Sequence, residues 1–125
     1  MQMLFAIAAG GAIGALARHF VAGAVTRAVG IGFPYGTFTV NMLGSLVMGI
    51  LITAFALKFE SSHTLRSFLT VGVLGSFTTF STFSLEGALL VQRGDWQGAI
   101  LYTFGSLIVG ITFLFLGMWL GKIIL

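Results

Sequence analysis

The residues best suited to chemistry lie in one stretch, Gly72-Val73-Leu74-Gly75-Ser76-Phe77-Thr78-Thr79-Phe80-Ser81-Thr82-Phe83-Ser84, where six hydroxyl side chains interrupt a long uncharged apolar segment. In hydrocarbon every polar group must find a partner inside the protein, so such an interruption is tolerated only against other protein or a polar cavity. Something polar is therefore expected to bind or pass here. The phenylalanines at 77, 80 and 83 recur every third residue, which on a continuous helix sets them roughly on one side, among hydroxyls rather than leucines. A second polar line, Thr37, Thr39, Asn41 and Ser45, opens another apolar run, with Thr37, Asn41 and Ser45 one helical turn apart on a shared face. A lone Asn in a span is commonly an interhelical fastener worth about 0.6 kcal/mol. A file of three donors favours a polar pathway. Glu86 is the only acid inside any expected span, and an intramembrane ionisable group defaults to function or to a partner.

Other chemistries are excluded by what is missing. The chain has no cysteine, and His19 and His63 stand in different segments without metal-ligand spacing, so thiolate and histidine metal sites fall away. The net charge of +3 comes from six basic and three acidic residues scattered over all the loops, with no basic cluster to follow nucleic-acid phosphates. No nucleic-acid partner is expected. With 58% hydrophobic and only 7% charged residues there is too little polar surface to cover a water-soluble globule, and the lipid bilayer is the expected surrounding.

The elements that must position these residues follow from the charges. Uncharged runs at 1–17, 28–57, 67–85 and 96–121 each approach or exceed the roughly 20 residues that cross a ~30 Å hydrocarbon core. The fold class is thus an all-α membrane protein of one domain over residues 1–125, with four transmembrane helices expected at 3–26, 35–58, 65–91 and 96–121. No basic residue precedes the first run and no cleavage site follows Arg18, so that run reads as a span rather than a signal peptide. Arg18 itself is expected to reach an interface or an aqueous mouth. Ala6, Gly10 and Gly14 in the first helix, and Gly117 and Gly121 in the fourth, make strips for close helix contact. Pro34 suits the first turn of the second helix, Ser61, Ser62 and Thr64 are candidate caps for the third, Gly94 a stop, and Asp95 the cap of the fourth. Trp96 and Trp119 are expected interface anchors.

The midpoint of the third span is residue 78, so a break is expected near the bilayer midplane, with Gly75 loosening the helix and the hydroxyls taking over freed donors. Freed carbonyl oxygens there suit a hard cation such as sodium. A simple glycine kink with Ser/Thr back-bonding fits the same residues. Lys58, Arg66 and Lys122 flank one side of the membrane, against Arg27, Arg93 and Arg18 on the other, so the positive-inside rule gives almost no bias. Insertion in both directions, and hence an antiparallel dual-topology homodimer, is the expectation. Two copies can form pathways at an interface that four short helices cannot enclose alone.

Three motifs carry a family resemblance: Gly10-Gly11-Ala12-Ile13-Gly14-Ala15-Leu16-Ala17-Arg18, Thr39-Val40-Asn41-Met42-Leu43-Gly44-Ser45, and Gly75-Ser76-Phe77-Thr78-Thr79-Phe80-Ser81-Thr82-Phe83-Ser84. Together they resemble the Fluc (CrcB) fluoride channels along the whole chain. The resemblance implies an antiparallel dimer with two fluoride pores in a bacterial inner membrane, passing cytoplasmic fluoride outward by passive diffusion. It implies that the rings of Phe80 and Phe83 turn their edges to the ion and that Asn41 donates a hydrogen bond, within a path that Thr37, Thr39, Ser81, Thr82 and Glu86 border. It further implies a central sodium ion on the backbone carbonyls of Gly75 and Thr78, and a continuation of the path along Tyr102 and Ser106. The next turn of that file is Gly110, which leaves Thr112 or water to substitute. The physics is compatible: a strongly hydrated anion needs preorganised donors, and a ring edge carries the positive end of the aromatic quadrupole. A different class, a four-helix dual-topology drug/proton antiporter, shares the size and charge balance but needs an acid in its substrate site, and the first helix has none. A structural membrane subunit without transport would have no use for the hydroxyl cluster.

Overall fold

Glycine spacing decides which helices can touch here, and the contacts follow it. In the computed structural model, which describes residues 1–57 and 61–125, the elements are helical from end to end and no strand occurs among the described residues. Helix α1 spans Gln2–Val29 and α2 spans Tyr35–Leu57. The third span, His63–Gln92, is composite. It begins as α3 (His63–Ser67), widens into a π segment (Phe68–Leu74), tightens into the single turn α4 (Gly75–Phe77), loses helical bonding at residues 78–80 and resumes as α5 (Ser81–Gln92). Helix α6 spans Trp96–Ile124. Four stretches are long and apolar enough to cross a membrane. The expected ends, set where charges appear, stop short at Thr26 and Gly121, because α1 and α6 run on past Arg27 and Lys122 to Val29 and Ile124. Long basic side chains reach water from within a helix end. Lys58, expected to end the second helix, lies outside the described residues.

The termini use local chemistry. Gly30, with φ 93°, closes α1 by donating its N–H to Thr26 O at 2.8 Å. Pro34 stands just before α2 and accepts its first bond, from Phe38 N. The Ser62 Oγ accepts from Leu65 N at 3.1 Å, so Ser62 rather than Ser61 or Thr64 caps α3. Gly94, with φ 84°, turns the chain after α5, and Asp95 accepts from Gly98 N at 2.8 Å to cap α6.

Two seams join the spans. A Cβ on Gly10 would lie 2.6 Å from Phe68 O and 3.0 Å from Gly72 Cα, so α1 and the π segment meet backbone to backbone, and Gly14 extends the contact to Val73. A Cβ on Gly49 would lie 3.0 Å from Gly117 Cα, and one on Gly121 would lie 2.9 Å from Thr53 Cβ, which brings α2 equally close to α6. Thr53 adds a bond across that seam to Met118 O at 3.3 Å. Such approach gains dispersion contact where lipid offers no hydrophobic drive.

The loosening lies elsewhere than expected. Gly75 is itself helical, with φ −61° and ψ −31°, and the irregular backbone falls upstream in the π segment and downstream at Thr78, which is extended at φ −87° and ψ 160°. Both the amide and the hydroxyl of Thr78 donate to Leu74 O, at 3.1 and 3.0 Å, which spends its polar groups backward and stops the helix.

Candidate functional site

The break is held open by a residue from another span. Asn41, on α2, accepts from Thr79 N at 2.8 Å through Oδ1 and donates to Thr79 O at 3.1 Å through Nδ2, so its amide stands in for the peptide partner that the helix withdrew. One N–H of the Asn41 amide remains free of this pair. The hydroxyl of Thr79 then accepts from Thr82 N at 3.2 Å and so caps α5. Gly44, one turn along α2 from Asn41, leaves the space that the Thr78 methyl and the Phe77 ring approach.

This exchange of partners frees specific backbone groups. In a continuous helix Gly75 O would accept from Thr79 N and Thr78 O from Thr82 N. Here Thr79 N is taken by Asn41 and Thr82 N by the Thr79 hydroxyl, so among the described residues both carbonyls stand without a backbone donor. Thr79 O, the usual acceptor for the Phe83 amide, takes Asn41 instead. Among the described residues no group of three His, Asp or Glu side chains could hold a metal, so the oxygens present at the break are neutral ones, main-chain carbonyls, hydroxyls and the Asn41 amide.

The expected pathway residues distribute over neighbouring clefts that share lining residues. At one end an opening of about 610 Å³ is lined by Arg18, Arg27, Thr37, Thr79, Thr82 and Glu86, among others. Thr79 also lines the next cleft, of about 330 Å³, together with Asn41, Ser45, Phe80, Phe83 and Ser106. A third, of about 350 Å³, continues past Ser45, Gly75, Thr78, Ser106 and Gly110. Thr37, Asn41 and Ser45 therefore run from the mouth into the groove, and Thr79, which Asn41 holds, stands where the first two clefts meet. Arg18 shares the mouth with Arg27 and the loop ending at Pro34, which fixes the membrane face it serves.

Several residues sit differently from the simplest pattern. The three phenylalanines do not share one helix face, because the break falls between them: Phe77 packs toward Gly44, Phe80 is 78% exposed on the single chain, and Phe83 lies against Tyr102 with centroids 5.1 Å apart. The Phe80 and Phe83 rings remain neighbours at 5.7 Å. Tyr102 is 1% exposed, is flanked edge-on by Phe33, and directs its hydroxyl at Glu86 Oε1 over a long 3.5 Å. It is a core residue with one polar atom toward the mouth. Ser81 is exposed and lies 3.4 Å from the Thr79 hydroxyl. Thr39 is half-buried on α2 and lines none of these clefts. Thr112 does not continue the path, since its hydroxyl bonds back to Ile108 O at 2.7 Å on an exposed face. The Ser106 hydroxyl is the opposite case: it is buried, lines both inner clefts and has no hydrogen-bond partner among the described residues. A buried unpaired hydroxyl costs about 1–3 kcal/mol. A ligand or water in the groove would relieve that cost.

Sequence reasoning missed Thr79 and Gly44. Thr79 carried a signal, a Thr three residues before the Thr82 amide it caps, but the hydroxyls on both sides of it offered the same reading.

Residues 5–118 match the family model described as CrcB-like protein, Camphor Resistance (CrcB). A protein of Chelativorans sp. (strain BNC1), named fluoride-specific ion channel FluC, is 46% identical over 125 residues and is covered, like this chain, completely. Proteins of the same name from Caulobacter vibrioides (strain NA1000 / CB15N) and Novosphingobium aromaticivorans are 46% identical over 98% of this chain and 97% of theirs, and 50% identical over 90% of each.

Proposed function

The chain belongs to the CrcB-like family, and from that premise we propose that it is a fluoride channel, with a path that runs from the Arg18 mouth past Asn41 to the groove of Phe80, Phe83 and Ser106. The observation that carries this reading is a pair of uncharged donors in one cleft. Asn41 keeps one free amide N–H and Ser106 has an unpartnered hydroxyl, and both line the same cleft. Neutral donors replace water around a hard anion without holding it as a full positive charge would, so it can leave as well as enter. Phe80 and Phe83 border that cleft, and in this reading their ring edges, the positive end of the aromatic quadrupole, turn to the ion. Arg18 and Arg27 raise the local anion concentration at the mouth.

The working unit in this reading is an antiparallel homodimer with two pores. The inner clefts are open on one side in a single chain, and the exposed Phe80 ring and Gly75 backbone mark the face that a second copy would cover. The charge balance supports insertion both ways: Arg18, Arg27 and Arg93 belong to one end, while Arg66, Lys122 and, by sequence, Lys58 belong to the other. A sodium ion fits the two freed carbonyls, those of Gly75 and Thr78, repeated in the second copy, and would supply charge that links the subunits. The antiporter reading gains no observation of its own, since the single intramembrane acid, Glu86, lies at the mouth beside Tyr102.

Purified protein in liposomes, read by a fluoride electrode, tests the function: rapid passive fluoride loss with chloride retained is expected, and proton-coupled exchange would overturn it. Because the chain has no native cysteine, Ser61→Cys gives a unique label site for topology. Labelling from both membrane sides is expected in cells, and labelling from one side alone refutes dual insertion.

A further inference from the structure

The hydrogen bonds around the break converge on a residue that the pathway itself does not require. We propose that Thr79 is the positioning residue of the anion path, a joint that transfers the placement of α2 to α5 and so sets where Phe80 and Phe83 stand. This rests on the fluoride-channel reading above.

Three independent contacts meet on this one residue. Its N–H and its C=O are both held by the Asn41 amide, at 2.8 and 3.1 Å, which fixes its peptide groups relative to α2. Its hydroxyl accepts from Thr82 N at 3.2 Å, which fixes the first turn of α5. The Ser81 hydroxyl, 3.4 Å from the same oxygen, is the one further polar neighbour. Phe80 follows directly, and its carbonyl accepts both the amide and the hydroxyl of Ser84, at 2.9 and 3.0 Å, which carries the constraint on through the turn. Among the described residues no other side-chain hydrogen bond ties α2 to the start of α5. Helix α4 ends at Phe77, and Thr78 spends its polar groups backward on Leu74, so the part of the third span that leads into the break makes no polar contact with α5. Without the Thr79 oxygen, the first turn of α5 would begin with an uncapped amide and could rotate about the extended backbone at Thr78, because the contacts that hold α5 to α6 lie further along, at Phe83, Glu86 and Leu90. The Phe80 ring, exposed on the single chain, has little packing of its own to resist that rotation.

The choice of threonine follows. A residue here needs a side-chain oxygen within reach of the amide three positions on, which serine also has and valine lacks, although valine matches threonine in shape. A merely space-filling threonine would tolerate valine and gain nothing from serine.

Thr79→Val and Thr79→Ser, reconstituted beside the wild type, separate these roles. In Thr79→Val fluoride flux should fall about fivefold or more, the change that goes with losing one helix cap, with the fluoride-to-chloride ratio reduced and the elution profile unchanged. Thr79→Ser should restore both flux and ratio. Normal flux and ratio in Thr79→Val overturn the proposal. Amide exchange of the wild-type protein gives a second reading that depends on neither folding of the variant nor conduction. A capped Thr82 N–H should exchange as slowly as the interior amides of α5, whereas exchange as fast as at a frayed terminus refutes the joint. If the wild type fails to conduct fluoride, the channel reading falls while the exchange result still decides the role of Thr79.

Discussion

The seam between α1 and the π segment and the break at residues 78–80 lie within a few residues of each other in the third span, yet they treat the backbone in opposite ways. In the seam Gly10, Gly14 and Gly72 bring two main chains together so closely that a methyl group has no room, and no side-chain hydroxyl or amide takes part. At the break the main chain gives up its own partners: the carbonyls of Gly75 and Thr78 lose their helical donors, and Asn41 is brought in from α2 to hold Thr79. The comparison teaches that freed polar backbone at membrane depth depends on rigid neighbours. A backbone-on-backbone seam leaves the upstream segment little freedom, and the opposite side is fixed by the α2–α6 seam through Gly49 and Gly117. Unsatisfied groups then stay where a ligand can use them instead of collapsing onto each other.

Five substitutions break or sharpen that contrast. The largest effect is expected in the seam. Gly14→Val would drive its side chain into the Val73 carbonyl and the Phe77 amide, a collision with backbone that cannot move aside. It should cost about 3 kcal/mol or more, the upper part of the range for overpacking, read as a collapsed denaturation midpoint. Near-normal stability would mean that the seam is not the rigid partner claimed for it.

Asn41→Asp should come next, and it acts on the other side of the contrast. A carboxylate still accepts from Thr79 N, but its second oxygen faces Thr79 O without a proton and the free amide donor is gone. Stability should fall by about 1–3 kcal/mol and flux by about tenfold to a hundredfold. Since Asn41 fastens the break as well as lining the cleft, a variant that loses flux with unchanged stability would show the clasp to be energetically idle. Electrode-monitored efflux and chemical denaturation of the same preparation separate the two.

The aromatic pair divides the comparison more finely. Phe83→Ile removes ring contacts with Tyr102 and Phe80 and should cost about 1–2 kcal/mol in addition to flux. Phe80→Ile, at a ring that is 78% exposed on one chain, should cost the single-chain fold less than about 0.5 kcal/mol yet still cut flux. Full flux in both would remove the ring-edge mechanism and leave the donor file. The smallest effect belongs to Thr112→Val. Its hydroxyl is already spent on Ile108 O, so flux should be unchanged and stability should shift by less than about 0.5 kcal/mol. A lost path in that variant would mean that the file extends beyond Ser106.

Much of the scaffold was legible in the chain. The nine charged residues mark where apolar runs stop, and a helix long enough to cross hydrocarbon leaves few other arrangements for such runs. Gly10 and Gly14, and Gly117 and Gly121, announced their seams by spacing, because only residues without a side chain permit that approach. Ser62, Gly94 and Asp95 announced helix ends through short-range chemistry that needs no tertiary context.

The site was less legible, and the reason is degeneracy. Six neighbouring hydroxyls can each bond back to a carbonyl, cap a helix or face a cavity, and nothing within the stretch ranks those options. Thr78, Thr79 and Ser84 divide between two of them: Thr78 and Ser84 bond back to the carbonyls of Leu74 and Phe80, while Thr79 caps at Thr82. What separates them is Asn41, which lies 38 residues away from Thr79 and meets it only because glycine seams set α2 and the third span at one distance. Composition and spacing therefore determined that this chain folds into four helices long and apolar enough to cross a membrane, with a polar interruption in the third. Only the tertiary structure decided which carbonyls go free, which hydroxyl stays unpaired and which threonine joins the helices, because each depends on a partner that arrives from a distant part of the chain.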